Sequence, residues 1–141
     1  MAYIRSQGCT IWRQDDEASP SNTYVQIGQV ISIDGPTGSQ GTIDVTHLSS
    51  VARESIASLP DWGTVSMSVI WDPVTASVQH DELWDDFIAG NTVTYQIRLS
   101  NSPQTELTFD ALITEHPISI AVDDKVGATI TLKTTGAVTK T

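Results

Sequence analysis

The sequence predicts a mainly β, antiparallel domain with one helix, and three observations predict it. Charged residues make up only 17% of the 141-residue chain, and the remaining polar residues are dominated by Thr and Ser, which together with Val and Ile suit pleated, half-buried surfaces. Short runs alternate apolar and polar along most of the chain. A single segment carries apolar residues at helical spacing. The length fits one domain, residues 1–141. A chain near this size buries roughly 68% of its unfolded surface, enough for a core without disulfide or metal.

The elements follow in order. An N-terminal segment expected to be flexible leads into "SQGCTIWRQD", a short first strand, and then into the polar linker "DDEASPSNT". In "TYVQIGQVISID", Val25, Ile27, Ile31 and Ile33 share one face, with Gln29 interrupting. "GPTGSQG" is a turn-rich loop, and "TIDVT" puts Ile43 and Val45 on one face. "TVSMSVIWD" alternates Val65, Met67, Val69 and Trp71 against Ser66, Ser68 and Asp72, and Pro73 ends it.

"TASVQHDELWDDFIAG" is the helix, over about residues 76–89. Leu83, Trp84, Phe87 and Ile88 form its core-packing stripe. Thr75 or Ser77 can cap its start, Asp81 and Glu82 suit its first turns, and Gly90 suits its end. Asp85 and Asp86 lie at the end unfavourable for acids and read as solvated surface residues. "TVTYQIRLS" and "TELTFDALITE" are strands joined by an "NSP" turn. "ISIAV" and "GATITLKTT" follow, and the tail, residues 136–141, reads as loose. The total is about seven strands, and most connections are too short for parallel crossovers.

Residues 46–64, within "THLSSVARESIASLPDWGTVS", form a long loop with no clear period. Structureless connections longer than about 12–15 residues are uncommon in compact domains unless functional or disordered. Val51, Ile56, Ala57, Leu59 and Trp62 make this one too apolar for a linker. Either it folds onto its own domain, or it is an arm that orders against a neighbour.

Composition narrows the function. The net charge of −10 argues against holding nucleic acid by phosphate neutralisation, which needs Lys and Arg. It suits a wall past which DNA moves without sticking. Cys9 is the only cysteine, so no intrachain disulfide and no cysteine-based metal site can form. The N-terminus has no apolar stretch of a secretory signal, and no run approaches the ~18 apolar residues of a membrane helix.

No catalytic constellation is visible. His47, His80 and His116 lie apart, and none has zinc-site spacing. No nucleophile elbow, P-loop or dinucleotide fingerprint occurs. The acidic clusters Asp15–Asp16–Glu17, Asp81–Glu82 with Asp85–Asp86, and Asp123–Asp124 lack the alternating ligands of a calcium loop. The residues therefore call for no metal and no cofactor, and an enzyme is the least supported class. Trp12 and Trp62 leave open a carbohydrate-binding β-sandwich.

The order of elements in residues 71–138 resembles the major tail tube protein of long-tailed, non-contractile (lambda-like) bacteriophages. The resembling features are a strand ending in "IWDP", the aromatic and acidic helix "DELWDDFIAG", the strand "TYQIR", the turn "NSPQT", the strand "TFDALITEHPISIAV", and the closing "DDKVGATITLKTTG". The long loop sits just upstream, where that family carries an arm. The resemblance implies a β-sandwich or barrel-like tail tube fold, similar to the type VI secretion tube protein, with one flanking helix. It implies a structural virion protein whose hexameric rings stack into a hollow tube that delivers genome DNA. The partners it implies are further copies of the chain and the tape-measure, tail terminator and distal tail proteins, in the virion tail and, during assembly, the host cytoplasm. Another ring-forming tail protein, terminator or baseplate, is the neighbouring alternative.

On this reading Arg53, Glu54, Ile56, Leu59 and Trp62 are the ring-to-ring contacts of the arm. Asp34 and Asp44, on polar strand faces near "GPTGSQG", are candidate lumen acids; outward solvent is the alternative for both.

Overall fold

The computed structural model describes residues 7–15, 23–75, 78–122 and 124–141. Its elements are β1 (Thr10–Asp15), β2 (Thr23–Gln26), β3 (Val30–Asp34), β4 (Ser39–Asp44), β5 (Ser55–Asp61), β6 (Thr64–Ile70), α1 (His80–Ala89), β7 (Val93–Arg98), β8 (Glu106–Glu115), β9 (Ile118–Ser119) and β10 (Gly127–Lys140). One sheet is eight-stranded, in the order β2-β1-β7-β8-β10-β6-β3 with β9 added beside β10. The other is the two-stranded ribbon β4-β5. Every pairing is antiparallel.

Strand alternation builds the core. Val65, Met67 and Val69 of β6 turn inward beside Ala128, Ile130 and Leu132 of β10. Phe109, Ala111 and Ile113 of β8, Tyr95 and Ile97 of β7, and Ile11 of β1 complete the layer. The Tyr95 and Phe109 rings stack with centroids 6.1 Å apart. Fully burying one such aliphatic or aromatic side chain contributes roughly 1.5–3 kcal/mol.

The two ends of the strand order are adjacent in the chain. β2 lies at one edge and β3 at the other, yet only Ile27, Gly28 and Gln29 join them. So short a link requires the sheet to curl until its edges approach, giving the barrel-like form. Ile27 donates its amide to the Ile11 carbonyl (2.9 Å) and is itself buried. Gln29 takes φ 56°, the left-handed region in which an extended chain cannot continue.

That link corrects the sequence reading of residues 23–34 as one alternating strand. Ile31 does not share the inner face; it is 57% exposed, displaced by a register shift between Val30 and Ser32. The loop 46–64 is not structureless either. Its second half is strand β5, paired with β4 from Asp44↔Ser55 to Ser39↔Asp61. The tail is a strand rather than loose: β10 runs to Lys140, with Thr139 opposite Thr108 and Lys140 opposite Leu107. Gly136 (φ 81°) lies within the register shift that separates this outer pairing from the inner one. The strand expected over residues 118–122 shrinks to Ile118–Ser119. The N-terminal segment expected to be flexible lies mostly, and Ser77 as a helix cap wholly, outside the described residues.

The helix starts at His80 instead of near residue 76, and its N-cap Gln79 (φ 65°) makes no side-chain cap bond. Gly90 ends it as expected, donating its amide to the Asp86 carbonyl. Leu83 is buried, while Trp84 and Phe87 are half-buried against Trp71 and His116. Ile88 is not a core residue; it is 68% exposed. The inward positions it was expected to share are held by His80 and Asp86, both buried. Asp86 is therefore not a solvated surface acid.

Candidate assembly surface

The arm is the ribbon β4–β5 with its connecting loop. It is exposed throughout except for the partly buried Ser50 and Ser58. An isolated two-stranded hairpin is at best marginally stable in water, so local bonds hold this one. The Asp44 carboxylate accepts from the Thr46 amide (2.9 Å), and the Thr46 side chain and then its amide lower that acid's pKa. The Val45 amide donates to the Glu54 carbonyl (2.9 Å), and the Glu54 amide donates to Thr46 Oγ1 (2.8 Å). Ser50 Oγ donates to the Glu54 carboxylate (2.8 Å), closing the loop.

The arm carries aliphatic side chains into solvent. Leu48 and Val51 at its tip are fully exposed, Leu59 is 91% exposed, and Ile43 and Ile56 are about half exposed and directly paired. Cross-strand pairing makes Ile43 and Ile56 neighbours on this exposed surface.

The root of the arm is tightly packed. Gly35 (φ 104°) and Gly63 (φ 64°) occupy left-handed backbone at its two entries. A Cβ on Gly63 would collide with Thr37, and one on Gly35 with the Thr64 carbonyl. Between them the Trp62 ring lies against Gly38, half-buried, with its Nε1 enclosed and without a partner among the described residues. Thr134 of β10 ties the root to the body, donating its amide (3.1 Å) and hydroxyl (2.8 Å) to the Gly63 carbonyl.

The candidate residues therefore separate. Arg53, Glu54, Ile56 and Leu59 sit on the arm, with Glu54 engaged in its internal bonds, and Trp62 anchors the root. Asp44 belongs to the arm, where it holds a turn. Asp34 lies elsewhere, exposed on β3 opposite Ser66. It shares its face with Ser32, Ser66, Ser68, Thr129 and Thr131, whose register neighbours alternate with the buried core residues. The result is a surface of small hydroxyls with scattered charge. Trp12 is no open sugar platform: the Arg98 guanidinium stacks 4.1 Å from its ring centroid.

The sequence model described as "Lambda phage tail tube protein, TTP" matches residues 10–141. The chain belongs to that family. No curated protein matches the sequence. Among solved structures this family member is similar to the tail of an empty gene transfer agent particle refined helically with C6 symmetry. The TM-score is 0.73 at 14% identity, covering 99% of each chain. It is also similar to the SPP1 tail tube, with TM-score 0.68 at 13% identity over 98% of this chain and 78% of that one. A third likeness is to the PVC sheath–tube complex of an extracellular contractile injection system, with TM-score 0.71 at 16% identity over 99% and 91%. These likenesses bear out the mainly β tail tube fold with one flanking helix.

Two buried polar clusters in this tail tube family member were missed by the sequence reading. Arg13 on β1 meets Asp86 and Gln79 at the helix, and His80 bridges two loops. His80 Nδ1 accepts from the Asp72 amide (2.8 Å), so Nε2 carries the proton and donates to the Gly28 carbonyl (2.8 Å). Burial lowers its pKa, opposed by the Gly28 carbonyl and the Asp72 carboxylate. Arg13 and Asp86 are 73 positions apart and Gly28 and His80 are 52 apart, so no local pattern could announce either.

Proposed function

We propose that the chain is the repeating subunit of a hollow phage tail tube. Six copies close into a ring, rings stack, and genome DNA passes through the bore. The role is structural and not enzymatic. The observation that carries this reading is the arm: a hairpin that displays Leu48, Val51, Ile56 and Leu59 to solvent while its root is locked to the body. Such a surface is complete only against another molecule, and membership of the tail tube family makes another copy of the chain the natural one. The C6 symmetry of the similar gene transfer agent tail supports a ring of six.

The hydroxyl face of β3, β6 and β10 suits the bore. Ser32, Ser66, Ser68, Thr129 and Thr131 offer DNA no cluster of cations, and Asp34 adds repulsion. Asp44 is assigned to the arm instead. The tube resides in the virion tail after assembly in the host cytoplasm, and its ends meet the terminator, tape-measure and distal tail proteins.

Replacing residues 46–53 by a short glycine turn tests the proposal. The shortened chain is expected to keep the far-ultraviolet spectrum of the folded subunit and to give no tubes by electron microscopy, where the complete chain gives hollow tubes of uniform diameter. Normal tubes from the shortened chain would refute the assignment.

A further inference from the structure

A second apolar surface lies at the opposite end of the strands that carry the arm. β3 and β6 run antiparallel, with Asp34 opposite Ser66 near the arm's root and Val30 opposite Val69 at the other end. At that other end Gly127 of β10 pairs with both Ile70 and Ser119. Ile31, Ile70 and Ile118 lie at this end and are between 36% and 57% exposed, and Ile120 and Val122, which follow Ile118 in the chain, are 78% and 92% exposed. A groove of about 200 Å³ opens beside Ile31 and Ile118, lined also by Val69, Pro117 and Ala128 and bordered by Ser68 and Thr129 at the end of the hydroxyl face. Val69 and Ala128 form its floor and belong to the core, whereas Ile31 and Ile118 at its rim are not among the buried core residues.

We propose that this groove receives the arm of a second copy, in the next ring of the tube. The occupant is identified by position and chemistry. Copies stacked along the strand direction meet at strand ends. The arm leaves from one strand end and the groove lies at the other. A surface that pairs with a different surface on an identical molecule is a head-to-tail contact. Repeated without closing, such a contact makes an open stack. Leu48 and Val51, uncharged and fully exposed at the arm tip, match a groove whose lining holds no charged side chain. The proposal rests on the tube reading above and adds the receiving surface to it.

Disulfide trapping tests it. In a Cys9→Ser background, Leu48→Cys is combined with Ile118→Cys or with Ile120→Cys, tubes are assembled, and the thiols are oxidised. The expected result is a ladder of chains linked one to the next, present in tubes and absent from dispersed subunits. Single-cysteine variants should assemble without forming it. Tubes that form normally but give no ladder with either partner position would overturn the groove as receiver and leave the tube reading intact. Links confined within single chains would also overturn it, because the arm would then fold back on its own body. Failure of the Cys9→Ser parent to form tubes under any condition would remove the tube reading and this proposal with it.

Discussion

Arg13 and Asp86 form a buried, two-pronged ion pair that joins strand β1 to helix α1. Arg13 Nε donates to Oδ2 at 2.7 Å and Nη2 to Oδ1 at 3.1 Å. Both side chains are less than a tenth exposed. Gln79 accepts from Nη1 at 3.4 Å. The pair explains how a helix with an acid in its unfavourable last turn can dock inward: the acid faces a guanidinium rather than the helix dipole alone.

Removing one partner leaves the other charged and buried. Asp86→Asn is expected to destabilise the subunit by about 3–5 kcal/mol, read from chemical denaturation. The double variant Arg13→Met with Asp86→Leu should recover most of that loss, because two apolar side chains of similar volume need no counter-charge. A double variant as unstable as the single one would show that the pair does more than satisfy itself.

The arm's root is expected to be intolerant of a side chain. Gly63→Ala forces a left-handed conformation costing roughly 1–2 kcal/mol and adds a collision with Thr37. Gly90→Ala is the matched control: its φ is 71°, but a Cβ there meets nothing within 4 Å. Thermal melting should therefore rank wild type above Gly90→Ala and Gly90→Ala above Gly63→Ala. Equal melting temperatures for the two variants would mean that the contact with Thr37 gives way freely.

Acid should weaken the fold through its buried histidines. His80 and His116 both have pKa values lowered chiefly by burial. Protonating Nδ1 of His80 would also set a proton against the Asp72 amide it now accepts from. Below the ordinary histidine value of about 6.5 the unfolded chain takes up protons that the folded chain refuses, so stability falls as pH falls and is regained above it. His116 sits among Trp71, Trp84 and Phe87, with its ring centroid 5.1 Å from that of Trp84, and neither ring nitrogen has a partner among the described residues. His116→Phe is therefore expected to fold well and to flatten part of the loss between pH 6.5 and acid. An unchanged pH dependence would assign the effect to His80 alone.

Much of this architecture is legible in the sequence, for reasons particular residues make plain. Strands β6 and β8 announce themselves because one face is buried and the other is not, so Val65, Met67 and Val69 alternate strictly with serines and a threonine. The helix end is legible because Gly90 is a local signal. The arm's ribbon is not, since Ser55–Asp61 buries neither face and so has no reason to alternate. The break at Gly28–Gln29 is hidden because apolar residues resume beyond it in apparent phase. Ile88 misleads because the stripe rule counts apolar residues, whereas the position facing the core belongs to Asp86 with a partner from a distant strand. The arm candidates were found by composition, while the groove was not, since Ile31, Ile70 and the run from Ile118 to Val122 come from three separate stretches.

Strand β10 lies between β8 and β6 in the sheet but follows both in the chain. Until residues 127–140 have left the ribosome, the order β2-β1-β7-β8 and the pair β6-β3 have no strand to join them. Folding of this subunit is thus timed by its own synthesis: a nascent chain stalled before Gly127 should stay protease-sensitive and unable to recruit finished copies. The placement of a single strand would thereby hold off polymerisation on the polysome, a hazard for any protein made many times over beside itself.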